Sequence, residues 1–186
     1  MAPVGIVAEI VDLFAQKGSS NYGGEAVSQL EHALQTAAQA RQAGASSAVV
    51  CAALLHDVGH LVEDETDASR DPGLLDDRHE EKGSRWLNHH FGAEISDPVR
   101  LHVAAKRYLC TVDAEYLDCL SPASLQSFRE QGGKMSAEEI AAFESEPNQD
   151  TAVLVRKWDD SGKTPGRTTP AIAEFVPDLA TVVAGQ

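Results

Sequence analysis

The chain has 186 residues and a formal charge of −14, with 42% hydrophobic and only 5% aromatic residues. That length fits a single domain. So acidic a chain will not track nucleic-acid phosphate or an anionic membrane by bulk charge, and any anion it binds must meet a local cluster of positive groups. No run approaches the roughly 18 uncharged apolar residues of a spanning helix, and the N-terminus lacks a basic stretch followed by an apolar core. The expectation is a soluble, cytoplasmic protein with neither nucleic acid nor membrane as partner. Cys51, Cys110 and Cys119 are odd in number and show no close metal-type spacing, so they are read as packing residues.

Apolar spacing is helical almost throughout. Val4, Val7, Ile10, Val11 and Phe14 share one stripe that Gly18 ends, and Val27, Leu30, Leu34 and Ala38 repeat the pattern up to Gly44. Two amphipathic helices therefore flank a loop from Ser19 to Gly24. Ser46 can cap a third, more apolar helix through Val49, Val50, Ala53 and Leu54, which should lie at the centre of a bundle. It closes on the polar run His56-Asp57-Val58-Gly59-His60. Glu63 to Asp77 is rich in acids, contains Pro72 and Gly73, and reads as a loop. Further helices are predicted at Arg78 to Phe91, at Pro98 to Leu109 with Asp97 as cap, and after Ser121-Pro122. Ser136 with Glu139 forms a capping box ahead of Ile140 and Phe143. The last predicted helix begins near Thr151 and carries Val153, Leu154 and Trp158. Beyond it Pro165, Pro170 and Pro177 predict a mostly irregular tail over residues 166–186. No alternating strand pattern of useful length appears. The fold class is all-α, one domain over residues 1–186 with its core at about 20–165.

Polar residues stand where a helical core ordinarily takes apolar ones. His32 lies in the stripe of Leu30 and Leu34, His56 and Asp57 close the most hydrophobic helix, and His102 sits between Leu101 and Val103. One such histidine is more often a hydrogen-bonded core residue than a ligand. Several together reverse that expectation, because imidazoles and carboxylates converging from different helices form the ligand sets of iron, manganese or zinc, and burying them without a cation leaves polar groups unpaired.

The sequence resembles the HD-domain superfamily, an all-α helical bundle whose pattern is a histidine, then His-Asp on a later helix, then a distant aspartate. The matching residues are His32 in Gln-Leu-Glu-His-Ala-Leu, His56-Asp57 in Leu-Leu-His-Asp-Val-Gly-His, and Asp159 in Arg-Lys-Trp-Asp-Asp. His79, before Glu80-Glu81-Lys82-Gly83, and His102, opening His-Val-Ala-Ala-Lys-Arg-Tyr-Leu, match two further histidines of members with a dinuclear centre. By that resemblance His32, His56 and Asp159 hold one iron, His79 and His102 hold the other, and Asp57 bridges them. Over roughly residues 20–165 the chain is similar to the small branch of mixed-valent diiron oxygenases of the PhnZ and TmpB type. The shared stretches include Asn-Tyr-Gly-Gly-Glu-Ala-Val-Ser-Gln-Leu-Glu-His, Leu-Ser-Pro-Ala-Ser and Gln-Gly-Gly-Lys-Met.

That branch implies two iron ions in the Fe(II)/Fe(III) state, dioxygen as co-substrate, and cleavage of the carbon–phosphorus bond of a 1-hydroxy-2-(amino or trimethylammonio)ethylphosphonate to phosphate and glycine or glycine betaine. It also implies functional pairing with a 2-oxoglutarate-dependent hydroxylase. Residues matching His60, Lys106, Ser124 and Arg156 contact the phosphonate in the family. Tyr22 and Glu25 match a lid whose glutamate either occupies the second iron or attracts the substrate's ammonium.

Spacing points to the same site. His60 lies four residues after His56, Lys106 four after His102, and Arg156 three before Asp159, so each shares a ligand-bearing helix face. Arg offers a planar fork and Lys a compact charge for a phosphonate dianion. Ser121, near Ser124, could be only a helix cap, Gln131 is a weaker candidate, and Arg107 is read as a solvated helix residue. Asp160 and Glu31 could orient ligands from behind. Gly23-Gly24 leaves room for a trimethylammonium group beside the Tyr22 ring. Two rival functions stay open: an HD phosphohydrolase acting on a nucleotide or phosphate ester, and a metal-free helical interaction module.

Overall fold

A computed structural model describes residues 5–62 and 78–184. Among these residues the chain forms ten α-helices and no strand: α1 (Ile6–Lys17), α2 (Gln29–Gln42), α3 (Ser47–Leu55), α4 (His79–Asn88), α5 (Ala93–Val112), α6 (Ala114–Asp118), α7 (Pro122–Glu130), α8 (Ala137–Glu144), α9 (Gln149–Ser161) and α10 (Val176–Ala184). None of them is long and apolar enough to cross a membrane. The acidic segment read as a loop from Glu63 to Asp77 lies outside the described residues.

Helix starts follow the caps. Ser28 and Glu31 close a reciprocal box at the head of α2, as Ser136 and Glu139 do for α8, and the Ser46 side chain accepts from Val49 N at the start of α3. Glu31 is thereby committed to its own helix terminus at the surface and does not orient a ligand. In α3 Val50, Cys51, Ala52, Ala53, Leu54 and Leu55 are all buried, so the helix has no polar face and must lie inside the bundle. It packs against α2, α5, α9 and α10.

Directly after α3 the chain tightens into a single 3₁₀ turn, Val58–His60. Two glycines let that turn touch α4. A Cβ on Gly59 would stand 1.9 Å from the His79 carbonyl oxygen, and one on Gly83 would stand 3.0 Å from Gly59 N. This approach brings the first residue of α4, His79, beside the end of α3.

Two segments differ from the sequence expectation. Helix α5 starts at Ala93, ahead of the expected Asp97 cap, and contains Pro98 in its second turn. The proline removes one backbone donor, but Ile95 and Val99, four residues apart and both fully buried, hold the helix on the core across it. The tail, expected to be mostly irregular over residues 166–186, is partly helical within its described residues 166–184. A 3₁₀ turn at Ile172–Phe175 leads into α10, and Phe175 and Leu179 are fully buried in the main core with Val7, Ile10 and Phe14 of α1. Pro177 sits in the first turn of α10, where its missing N–H is tolerated, and the prolines had hidden the apolar spacing of Val176, Leu179 and Val182. Arg41 stacks its guanidinium 4.0 Å from the Phe175 ring centre and pairs with Asp178, which also accepts from Ser47 Oγ. The core therefore extends beyond residues 20–165 at both ends. Cys51 and Cys110 are buried as expected, whereas Cys119 is exposed.

Phe175→Ala should lower the unfolding free energy by about 3–5 kcal/mol, measured as a shift of the urea midpoint at unchanged slope. An effect below about 0.5 kcal/mol would mean that the tail contributes nothing to the core.

Candidate active site

Six side chains from five elements meet at the middle of the bundle: His32 from α2, His56 and Asp57 from the end of α3, His79 from α4, His102 from α5 and Asp159 from α9. All six are buried, three of them fully. The Asp57 carboxylate divides the group. Its Oδ2 faces His32 Nε2 at 3.5 Å and His56 Nε2 at 3.2 Å, and its Oδ1 faces His79 Nε2 at 3.1 Å and His102 Nε2 at 3.3 Å. Asp159 joins the first side only, with Oδ1 3.4 Å from His32 Nε2 and Oδ2 3.8 Å from His56 Nε2.

The proton inventory of this cluster fits cations. His32, His56 and His102 each direct Nδ1 to a backbone carbonyl, that of Gly162 at 3.1 Å, Ala53 at 2.9 Å and Val99 at 2.7 Å. Nδ1 then carries the proton of the neutral ring and Nε2 presents a lone pair. Yet His32 and His56 bring their Nε2 atoms to 3.0 Å, and His79 and His102 to 3.1 Å. Asp57 Oδ2 and both Asp159 oxygens are buried without a hydrogen bond. Arg156 Nη1 approaches Asp159 Oδ2 to 2.6 Å, but not in hydrogen-bond geometry. Converging lone pairs around unpaired buried oxygens are unfavourable unless a cation lies among them. Protons alone would have to do that work otherwise: burial pulls the His32 pKa down, but the Asp159 and Asp57 carboxylates outweigh it and raise it to about 9. Nitrogen and carboxylate donors of this kind suit iron, manganese or zinc.

A cleft of about 680 Å³ opens onto the Asp57, His79 and His102 side. Every expected substrate contact lines it: His60, Lys106, Ser124 and Arg156, together with Tyr22, Glu25 and Gln131. The His60 ring stacks on His79 at 4.0 Å, and one nitrogen lies close enough to Asp57 and His79 for the three to share a metal ion. Lys106 is buried and donates to Ser127 Oγ at 2.8 Å; burial, with the neighbouring Arg156 charge, pulls its pKa down to about 8. Arg156 is clamped from behind. Its Nε donates to Asp160 at 3.0 Å and to the Tyr116 hydroxyl at 3.2 Å, and Nη2 pairs with Asp160 as well. Asp160 therefore serves the arginine and does not orient a metal ligand. One N–H on each Nη remains for a guest in the cleft. Arg107, read as a solvated helix residue, is instead half-buried and engaged with Glu139 and the Gly133 carbonyl.

The loop before α2 is tied down by an isolated antiparallel bridge between Asn21 and Ser28. It lays the Tyr22 ring flat on His32, 3.9 Å between ring centres. Burial, and then the Asp159 and Asp57 charges, push the Tyr22 phenol well above its ordinary pKa. Glu25 does not reach the metal ligands, since α2 begins only at Gln29 and its carboxylate instead accepts a hydrogen bond from Ser121 Oγ. Ser121 is thus more than the cap of α7. One Tyr22 face is covered by His32, and the Lys163 ammonium stands 5.8 Å from the ring centre. That leaves poor conditions for stacking a quaternary ammonium there. Sequence reasoning missed Lys163, Tyr116 and Ser127. Lys163 is four residues after Asp159, a helical interval, but it falls beyond the helix end at Ser161, where spacing no longer fixes direction.

Residues 30–143 match the HD domain family. Over 169 residues, 91% of this chain and 84% of the relative, the sequence is 44% identical to a protein of Gimesia maris named hydroxymethylphosphonate dioxygenase. The chain belongs to the HD-domain family and to its PhnZ/TmpB-type branch. A second relative from Leisingera caerulea, named [1-hydroxy-2-(trimethylamino)ethyl]phosphonate dioxygenase (glycine-betaine-forming), is 42% identical over 179 residues, covering 96% of this chain and 90% of that one. A third relative, an uncharacterized protein of Acanthamoeba polyphaga mimivirus, is 38% identical over 158 residues, 84% of this chain and 72% of its own.

The division of the site at Asp57 has a measurable consequence. His79→Ala should retain about half the metal of the parent protein, because His32, His56, Asp159 and the Asp57 oxygen facing them all remain, whereas Asp57→Ala removes an oxygen from both sides at once and should lose nearly all of it. Metal analysis after gel filtration reads both outcomes.

Proposed function

We propose that the protein is a cytoplasmic diiron oxygenase that uses dioxygen to cleave the carbon–phosphorus bond of a 1-hydroxyalkylphosphonate. His32, His56 and Asp159 would hold one iron and His79 and His102 the other, with the Asp57 carboxylate lying between the two sets, and the pair would work in the Fe(II)/Fe(III) state. The observation that carries this reading is the adjacency of a two-sided His/Asp cluster and a cleft floored by Lys106, Arg156 and Ser124 in a chain that is otherwise strongly acidic. The names of the two dioxygenase relatives support it. Conversion of a 1-hydroxyphosphonate to a carboxylate and phosphate takes up both atoms of one dioxygen, so the overall change balances without an external reductant. When bound, the metal pair supplies the redox chemistry at the hydroxyl-bearing carbon.

The chain's own residues supply recognition and enclosure. Lys106 and the free edge of Arg156 neutralise the phosphonate, the first as a compact charge and the second as a fork. Ser124 and His60 add donors at the same end of the cleft. Tyr22 closes the first metal side from water by lying on His32. Glu25 and Glu130 line the same cleft and give a cationic tail a counter-charge, which suits a 2-amino or 2-trimethylammonio group held by carboxylates rather than by the Tyr22 face. Hydroxylation of the parent phosphonate at the α-carbon is a direct source of such a substrate, which fits functional pairing with a 2-oxoglutarate-dependent hydroxylase.

Iron-loaded protein given hydroxymethylphosphonate or 1-hydroxy-2-(trimethylammonio)ethylphosphonate should release phosphate in air and none under argon. Phosphate release under argon, or from a phosphate ester alone, would establish the hydrolase instead. Lys106→Met should lower kcat/KM about 10- to 100-fold, the usual loss for a hydrogen bond to a charged group. The parent kcat/KM should also fall as pH rises through about 8. The sign follows from charge: Lys106 is cationic below that pKa and neutral above it, so the contact with a dianion is lost on the alkaline side. Lys106→Arg, which keeps its charge, should remove the decline.

A further inference from the structure

We infer that Lys163 is a positioning residue for the phosphonate end of the cleft, acting through the Ser124 hydroxyl; the inference rests on the function proposed above. Lys163 lies just past α9 and is not among the residues that line the cleft. Its side chain is nearly buried, and its ammonium donates to Ser124 Oγ at 2.9 Å. The same ammonium stands 3.4 Å from Asp159 Oδ1 and 3.4 Å from Asp160 Oδ1.

A serine hydroxyl has one proton to give and two lone pairs to receive. Lysine can only donate, so the Lys163 bond occupies a lone pair of Ser124 and leaves the hydroxyl proton for another acceptor. The other polar atoms of Ser124 are already committed: its N–H donates to Ser121 Oγ at 3.1 Å, and its carbonyl accepts from Ser127 Oγ at 3.1 Å. Ser124 lines the cleft, so its proton is available to a dianion there. Lys163 turns an ambivalent hydroxyl into a donor, and its charge strengthens that donor.

The lysine is held where it can do this. Gly162 offers its carbonyl to His32 Nδ1 at 3.1 Å, and Thr164 is bound on both backbone groups by the Gln35 amide, at 3.0 Å to N and 2.8 Å to O. A Cβ at Gly162 would stand 2.6 Å from Thr36 Oγ1, so the turn lies tight against α2. Residues 162–164 thereby connect a first-side imidazole, through Lys163, to the phosphonate end of the cleft.

The test is binding of hydroxymethylphosphonate to the metal-loaded protein under argon, followed by calorimetry, so that no turnover is needed. The parent protein should bind; if it does not, the proposed function fails and Lys163 is not at issue. Lys163→Met should weaken binding about 10- to 100-fold while keeping the parent metal content and circular dichroism. Ser124→Ala should weaken it by a similar factor, and Lys163→Met added to Ser124→Ala should weaken it little further, because the lysine acts through that hydroxyl. Lys163→Arg, which keeps a charged donor and serves if the methionine variant folds poorly, should recover most of the affinity. Parent-like affinity in Lys163→Met, multiplication of the two losses in the double variant, or loss of metal along with affinity would each overturn the assignment.

Discussion

The two oxygens of Asp57 constrain the rest of the structure. A carboxylate buried between two pairs of imidazole lone pairs is tolerable only if positive charge sits on both of its sides. That requirement fixes the relative positions of α2, α4, α5 and α9, each of which contributes a ligand, around the end of α3, which contributes two. The all-apolar character of α3 follows from the same arrangement. A helix that delivers the central carboxylate must be surrounded by the helices that deliver its partners, so no face is left for water. The close pairing of Gly59 with α4 has the same origin, since a side chain at Gly59 would push His79 away from Asp57. Because the cluster's stability without cations depends on protons, metal affinity and folding are coupled in this protein.

Much of this was legible in the sequence, and the legible parts share a cause. Histidines and aspartates at core positions of amphipathic helices are conspicuous because the rest of the pattern is so regular. His32 between Leu30 and Leu34, and His102 between Leu101 and Val103, identify the ligand faces before any coordinates are known. Capped helix starts were equally readable, as Ser46 and Ser136 illustrate, because the capping hydrogen bonds are local. What escaped was non-local. Helix α10 was obscured by Pro165, Pro170 and Pro177, which are strong local signals for irregular chain, although Phe175 and Leu179 have a distant core to bury against. The early start of α5 was obscured in the same way by Pro98, overridden by burial of Ile95. Glu25 matches a glutamate that the resemblance allows at the second iron, but α2 begins only at Gln29 and the carboxylate turns instead to Ser121, a partner no local signal reveals. Lys163 was invisible because its direction is set by the turn after α9, and that turn is set by hydrogen bonds to Gln35 and His32 across the bundle.

The local electrostatics reconcile an anionic guest with an anionic protein. At the floor of the cleft and directly beneath it, Asp57, Asp159 and Asp160 face Lys106, Arg156 and Lys163. Three carboxylates balance three cations, and the proton that burial between carboxylates holds on His32 is offset by Glu25 and Glu130 at the same cleft, so before metals enter there is no excess of positive charge with which to hold a dianion. The arginine in particular is nearly neutralised by Asp159 and Asp160 and contributes geometry more than charge. Binding of metal cations would tip that balance positive. The order of events is therefore built into the charges: metals satisfy the carboxylates first, and only then do Lys106, Arg156 and the hydroxyl held by Lys163 have positive potential to spare for a phosphonate. An apo protein of this kind would show little attraction for the same anion, so the acidic composition and the phosphonate cleft are compatible only through the metal centre between them.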